Sequence, residues 1–523
     1  MAGSYEPFLI ESSPCRVRCS KRRMGQIVFV RCLYDADMRG GGRRGSAGLV
    51  GAASATVAIV LLATASRYGF HRDELYFMTN AENPAWGYVD HPPLTPMLGW
   101  LSQQFFGDSV FALRVLPALV GASIVAMAAA ISREVGGDDG ARVLAAWATA
   151  TTLVVLAMGH MLTTPTLDVL AWSAALWVLC RIVRTLDVRW FLLLGMVVGL
   201  GLMNKLTFVF AAVAFGLGFV ATPQRRLLVN RWAVAGAGLA GLIVAPHLWW
   251  QVDNGWPVVE LSAGIADEAT ENRLLMVPFQ LLFLGVPIAA AVAVTSWRQL
   301  RGRTLAPYRF VPIGFVVLLV MLLVTAGKPY YAAGALPAFI ALAAADLVSW
   351  CREHRVVVGS LLAANAVVSA LVALPVLSVE QYVASPVSAL NPEPAEMIGW
   401  PEFVDQVAAH YDDVDDGRQT TVILTGNYGE AGAIDHYGDD LRLPPAHSGH
   451  NSYADVRIPL DRQGPVLVVG YSDPRGLLSG CAPLAPIVMP HDVDNEEQGM
   501  PVWRCSEPTR PWIELWPDLR HID

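Results

Sequence analysis

Charge is what this sequence has least of: Asp, Glu, Lys and Arg make up only 16% of its 523 residues, while 54% are hydrophobic. Ordinary soluble proteins carry roughly 25% charged residues. The balance excludes a soluble, nucleic-acid-binding or disordered protein. Lysine is nearly missing, with three residues, Lys21, Lys205 and Lys328, against 34 arginines. Cysteine is sparse too, at seven. Cys15-x-x-x-Cys19 is followed by no second ligand pair, which excludes a zinc finger. A nucleotide loop is also absent, because Gly199-Leu200-Gly201 follows no strand, and Gly195-x-x-x-Gly199 reads as helix packing.

Long apolar runs are what the chain does have. Eleven stretches (46–66, 111–131, 141–159, 165–183, 190–203, 206–222, 232–250, 274–296, 310–326, 331–350 and 356–376) approach the length needed to cross a hydrocarbon layer about 30 Å thick as helices. The expected fold is an α-helical polytopic membrane protein, with the fifth and sixth stretches short enough to be tilted or re-entrant. Fourteen arginines occupy every second connection, whereas the alternate connections hold six Lys or Arg: Arg67, Arg72, Arg114, Lys205, Arg273 and Lys328. The positive-inside rule then places the amino terminus in the cytoplasm and the carboxyl end outside, in a multi-pass cell-membrane protein. Residues 1–45, with nine Lys or Arg against four acids, read as a basic, disordered cytoplasmic tail held to the inner leaflet. No cleavable signal peptide is expected, since the first long apolar run lies far from Met1.

Residues 377–523 carry 24 acids and eight arginines and read as an extracytoplasmic α/β domain. Thr421 to Thr425 is a β-branched run that turns at Gly426 into a helix over Tyr428-Gly429-Glu430-Ala431-Gly432, and Pro465 to Gly470 supplies another strand. The polar segment His447-Ser448-Gly449-His450-Asn451-Ser452-Tyr453 either faces the membrane domain or is an ordinary surface loop. Of the cysteines only Cys481 and Cys505 fall in an oxidising compartment, and a disulfide between them is left open by the sequence.

Chemistry-bearing residues gather at the outer ends of the spans. The first outer loop, 67–110, reads His71-Arg72-Asp73-Glu74-Leu75-Tyr76 and then Tyr88-Val89-Asp90-His91-Pro92-Pro93-Leu94. Adjacent carboxylates at the bilayer surface, Asp73 and Glu74, are where burial and mutual repulsion raise one pKa towards that of a general base. Leu94 to Phe105 reads as a short interfacial helix, so the loop is structured. Both lysines beyond the tail, Lys205 and Lys328, fall on the side the charge rule depletes. They point to a bound anion, a phosphate, with Tyr330 and Tyr331 as hydroxyl donors beside Lys328 and with Arg72 nearby. Asp90, His91, His160 and His247 are the remaining candidates for substrate contact. A divalent metal held by Asp73, His91, His160 and His247 has no ligand spacing in its favour. Trp249, Trp250 and Trp256 form an aromatic belt or a sugar-stacking surface.

The outer Asp73-Glu74 after the first span, His91-Pro92-Pro93-Leu94, Lys328-Pro329-Tyr330-Tyr331 and the extracytoplasmic tail domain together resemble the GT-C membrane glycosyltransferases. The chain looks most like the bacterial members of glycosyltransferase family 39, related to protein O-mannosyltransferases and to the aminoarabinose transferase that modifies lipid A. The resemblance covers about residues 46–376 in topology. It also takes in Tyr428-Gly429-Glu430-Ala431-Gly432 and Ser448-Gly449-His450-Asn451-Ser452, which look like tail elements of bacterial members. It implies transfer of a hexosyl or pentosyl unit from a polyprenyl-phosphate sugar to an acceptor hydroxyl on a glycan, lipid or protein of the cell envelope, with inversion. By the same resemblance Asp73 matches the catalytic carboxylate with Glu74 beside it; the residues already found fit that chemistry, with Lys328, joined by Lys205 or Arg72, offsetting charge on the departing lipid phosphate. The β-trefoil insertion of eukaryotic protein O-mannosyltransferases has no counterpart here, which puts a protein acceptor in doubt. The rival reading is a transporter or lipid flippase, whose ionisable residues would sit mid-span, often in inverted repeats. Here the span interiors are nearly uncharged, and eleven spans are more than a scaffold needs.

Overall fold

A computed structural model of the chain describes residues 43–414, 421–461 and 464–522. The expected basic tail, with Cys15, Cys19, Cys32 and Lys21, lies outside the described residues but for its last three. Among the described residues, seven helices are long and apolar enough to cross a membrane, or nine if each of two bent pairs forms one span. The long helices include α1 (Arg43–Thr64), α4 (Val110–Glu134), α7 (Thr164–Thr185), α10 (Arg231–Asp253) and α16 (Arg355–Ala373). The bent pairs are α5 (Asp139–Ala150) with α6 (Leu153–His160), at 58°, and α12 (Ala269–Leu284) with α13 (Val286–Leu300), at 108°. Helices α8 (Trp190–Asn204) and α9 (Phe208–Val220) are the short pair foreseen in the sequence. The protein is a multi-pass membrane protein.

A broken span frees carbonyl groups that lipid cannot satisfy. One buried side chain serves both breaks: Asn365 Nδ2, on α16, donates to Thr151 O (2.9 Å) and to Leu284 O (3.2 Å). At the sharper bend Gly285 has φ +75°, and a Cβ there would coincide with the Asn365 amide. Only glycine fits both the dihedral and the space. The Gly195-x-x-x-Gly199 spacing does serve packing, since Gly195 lies directly on the Gly236 backbone of α10 and Gly199 on Ile243. In the arginine-rich connections the acids pair off: Arg181 and Arg184 both bind buried Glu134, and Arg298 binds Asp346.

The loop after α1 is structured, as expected, as α2 (Arg72–Glu82) and α3 (Leu94–Phe106). Phe105 and Trp100 on α3 are exposed, consistent with a helix lying along an apolar surface. The tail contains a five-stranded mixed sheet in the order β2-β1-β3-β5-β4, built from β1 (Val422–Thr425), β2 (His447–Ser448), β3 (Val466–Val469), β4 (Ala482–Pro483) and β5 (Val502–Cys505). The first three strands run parallel, and β1 passes into a helix over Tyr428–Tyr437, as the β-branched run indicated. Cys481 and Cys505 form a disulfide. One apolar core joins tail and loop: Phe70, Leu75, Tyr76 and Phe77 pack with Trp400, Phe403, Ile434 and Tyr453. The membrane loop and the tail therefore hold each other in place.

Candidate functional site

Helix α2 begins where sequence and dipole agree. His71 is its N-cap: its Nδ1 accepts the Asp73 N–H (3.1 Å), and Glu74 Oε2 accepts the His71 N–H (2.9 Å), which completes a capping box with two acids in the first turn. With Nδ1 used as acceptor, His71 Nε2 carries the proton and donates to Glu393 Oε2 (3.1 Å). Burial alone would raise the Glu393 carboxyl, but the His71 hydrogen bond and the charges of Arg72 and Lys328 outweigh it and hold the group below the usual carboxylate range.

The two adjacent carboxylates then part company. Glu74 is wholly buried: Arg114 Nε (3.0 Å) and the Leu162 N–H (3.0 Å) donate to its Oε1, and Arg114 Nη2 (2.7 Å) donates to its Oε2. It lines neither of the two cavities described below, and its contacts are those of a structural ion pair. A carboxylate whose lone pairs are all engaged has none left for an incoming proton. Asp73, one residue on and about 100° round the helix, faces a cavity of about 300 Å³ that is also lined by His160, Thr163, Tyr330, Asn391 and Glu393. That volume falls in the range of small-molecule sites. Asp73 Oδ1 accepts the Tyr428 hydroxyl at 2.9 Å, and Oδ2 has no hydrogen-bond partner among the described residues.

A second cavity, of about 220 Å³, is lined by Asp90, His91, Lys205, His247, Gln251 and Tyr331. Its polar groups are oriented by neighbours. Tyr76 OH donates to Asp90 Oδ1 (2.7 Å); His91 Nδ1 donates to Pro92 O (2.9 Å) and its Nε2 accepts from Asn80 Nδ2 (3.1 Å). His247 donates from Nδ1 to Trp86 O (3.1 Å), which leaves its buried Nε2 unpartnered. Lys205 belongs to this second cavity. Its ammonium is 4.7 Å from the Tyr330 ring centre and 4.5 Å from that of Tyr331, and it donates to Tyr330 OH at 3.4 Å. Tyr330 faces the Asp73 cavity and Tyr331 the Lys205 cavity.

Most of the expected residues thus converge. Asp73, His160 and Tyr330 line one cavity; Asp90, His91, His247, Lys205 and Tyr331 line the other. Three do not: Glu74, held by Arg114, and the two outer cations Arg72 and Lys328. Arg72 is bound by the tail carboxylates Glu496 and, at 3.8 Å, Glu396. Lys328 lines neither cavity, although its charge reaches Glu393. Of the tryptophans, Trp249 is exposed and Trp250 stacks on His247 at 6.1 Å. Sequence reading missed Arg114, Glu393 and Tyr428. Glu393 and Tyr428 come from the tail, and no local spacing links them to residues 71–76. Arg114, counted among the outer cations, was the one signal available, as an arginine inside an apolar helix. No three His, Cys, Asp or Glu side chains among the described residues stand close enough to hold a metal ion, so no step is derived through one.

Residues 90–250 match the family model described as dolichyl-phosphate-mannose-protein mannosyltransferase. Among solved structures the chain is similar to ArnT from Cupriavidus metallidurans in the apo state, with a TM-score of 0.59 at 13% identity over 88% of this chain and 98% of that one. Against ArnT bound to undecaprenyl phosphate the TM-score is 0.55, at 14% identity over 86% and 97% of the two chains. A fainter likeness, TM-score 0.48 at 14% identity over 78% and 65%, is to the archaeal oligosaccharyltransferase AglB from Archaeoglobus fulgidus, in complex with an inhibitory peptide and a dolichol-phosphate. No curated protein matches the sequence. The fold is that of the ArnT structures.

Proposed function

We propose that this chain is a membrane glycosyltransferase that moves a sugar from a polyprenyl-phosphate donor to an acceptor hydroxyl, with Asp73 as general base. The observation that carries the reading is the Asp73 carboxylate, with one oxygen held by Tyr428 and the other without a partner among the described residues, in a cavity lined by Tyr330, whose ring centre is 4.7 Å from the Lys205 ammonium. The family match over residues 90–250 and the undecaprenyl phosphate bound by ArnT support the donor class.

In the proposed step Asp73 Oδ2 takes the proton of the acceptor hydroxyl. The acceptor oxygen bonds to the anomeric carbon as the bond from that carbon to the phosphate oxygen breaks, and the electron pair leaves with the polyprenyl phosphate. Attack opposite the departing phosphate inverts the anomeric centre. Lys205, already desolvated against two aromatic rings, is the cation that offsets charge on the leaving phosphate. Asp90, His91, His247 and Gln251 supply the hydrogen-bonding surface around it. No nucleotide is required. A metal is not invoked, and the transferred unit, hexosyl or pentosyl, and the acceptor, glycan, lipid or protein, remain open in this reading. The arginine distribution and the Cys481–Cys505 disulfide support a cytoplasmic amino terminus and an extracytoplasmic tail.

The test is transfer of labelled sugar from a polyprenyl-phosphate donor in membranes carrying wild type or Asp73→Asn. The variant should lose at least a hundredfold in rate while melting like wild type in detergent. Full activity in the variant removes the assignment. Cargo movement with no change in envelope glycans would favour a transporter.

A further inference from the structure

The two tail motifs, Tyr428-Gly429-Glu430-Ala431-Gly432 and Ser448-Gly449-His450-Asn451-Ser452, take no part in the reaction just described, yet both end on the first loop. The helix over Tyr428–Tyr437 lies against α2 with glycines at the contact: a Cβ on Gly429 would stand 2.9 Å from Arg72 Cβ, and one on Gly432 would stand 3.0 Å from Leu75 Cβ. That approach is what brings Tyr428 to Asp73. The phenol ring is sandwiched, stacked on Tyr76 at 4.4 Å and against His450 at 4.6 Å, and its hydroxyl donates to Asp73 Oδ1 at 2.9 Å. Burial first, and then the charge of Asp73, push the Tyr428 phenol well above its ordinary pKa, so it stays a donor. The second motif fixes the other half of the loop. Ser452 Oγ accepts the Val89 N–H (2.8 Å), and the Ser452 N–H donates to Tyr76 OH (3.1 Å), whose own proton goes to Asp90 (2.7 Å).

From this geometry we infer that the tail domain completes the catalytic site, with Tyr428 as the positioning residue that holds the Asp73 carboxylate with Oδ2 turned to the substrate. The inference rests on the proposed role of Asp73. A carboxylate on the first turn of a helix has two rotatable bonds and samples several orientations when unheld; in the observed one Oδ1 is bonded to Tyr428 and Oδ2 has no hydrogen-bond partner among the described residues. A hydroxyl bound to Oδ1 selects that orientation before substrate arrives. The stacked rings hold the hydroxyl, and the paired glycines bring the rings within reach. The tail would then be required for turnover, beyond any part it plays in choosing an acceptor.

The experiment compares Tyr428→Phe and Tyr428→Leu with wild type as full-length protein in membranes, measuring kcat, the donor KM and the melting midpoint. Tyr428→Phe keeps both stacks and loses only the hydroxyl. It should melt like wild type, keep the donor KM within about twofold, and lose roughly ten- to hundredfold in kcat, the worth of one hydrogen bond to a charged group. Tyr428→Leu loses the stacks as well and should add a lower melting midpoint. Wild-type kcat in Tyr428→Phe, with impairment only in Tyr428→Leu, would reduce Tyr428 to a packing residue and overturn the inference. Asp73→Asn, run alongside, separates the two failures. If Asp73→Asn is inactive while Tyr428→Phe is normal, only the positioning role falls. If Asp73→Asn is active, the parent reading falls with it.

Discussion

Replacing Glu74 by Gln separates the two neighbouring carboxylates most sharply, because the structure gives Glu74 a cost that can be worked out. Glu74 is fully buried and Arg114 is 1% exposed, so the pair sits beyond the reach of solvent screening. Arg114 also donates to Ala65 O (2.7 Å) and Gly69 O (2.8 Å), which ties the end of α1 and the start of the loop to the same guanidinium. A glutamine keeps the shape but removes the charge. Its single oxygen cannot accept all four of the Arg114 Nε, Arg114 Nη2, Leu162 and His71 donors, and its own NH₂ faces other donors. Leaving one member of a buried pair uncompensated costs about 3–5 kcal/mol. The expected result is a melting midpoint in detergent lower by several degrees, faster proteolysis of the 67–110 loop, and activity lost in proportion to folded protein. Removing both charges, as Glu74→Met with Arg114→Met, should recover part of the stability that either single replacement loses, which is the sign of coupling a double-mutant cycle reads. A Glu74→Gln protein that melts like wild type yet transfers no sugar would refute the structural role and return Glu74 to the chemistry.

Two further outcomes follow from the tail and the lysine. Burial first, then the carboxylates of Glu396 and Glu496, push the fully buried Glu497 up to about 8, and neither of its oxygens has a hydrogen-bond partner. A raised carboxyl contributes its full stability below its ordinary value near 4.5 and loses it as pH climbs towards 8, a loss of about 3 kcal/mol by pH 7. Glu497→Gln should therefore melt with wild type near pH 4.5 and several degrees above it at pH 8, and superimposable melting curves across that range would refute the assignment. Lys205→Ala should raise the donor KM by about tenfold or more, and by more than Lys328→Ala does, because of the two lysines Lys205 lines the second of the cavities described above and Lys328 lines neither; the reverse order would point to Lys328 as the phosphate ligand.

How much of this was legible in the sequence depends on the range over which each signal acts. Apolar length is local, so the spans were visible, including the two short helices α8 and α9; the bends were not, because they depend on Asn365 reaching carbonyls 214 and 81 residues away in sequence. The β-branched run at Thr421 to Thr425 and the turn chemistry after it are likewise local and gave the first strand and its helix. The Asp73-Glu74 pair was visible as a pair, but which carboxylate faces the cavity depends on helix phase and on Arg114, 40 residues on. Counting cations by side found Lys205, Lys328 and Arg72 together, since charge counting has no sense of direction. Separating them took the tail acids Glu496 and Glu396, which pull Arg72 out of the site.

That diversion of Arg72 bears on how a lysine can serve the leaving phosphate beside a catalytic carboxylate. A guanidinium free to swing towards Asp73 would lie closer to the base than to the phosphate, and a salt bridge between them would tie up the oxygen the acceptor needs. With Arg72 held by Glu496 and Glu396, and Arg114 held by Glu74, both of these arginines are neutralised by other acids. Lys205 makes no carboxylate hydrogen bond among the described residues, and its ammonium lies 4.7 Å from the centre of the Tyr330 ring, which lines the Asp73 cavity. In the proposed reaction base and cation act on opposite sides of one anomeric carbon, so they must be close without touching. A single aromatic ring, with its face to the ammonium, keeps that separation.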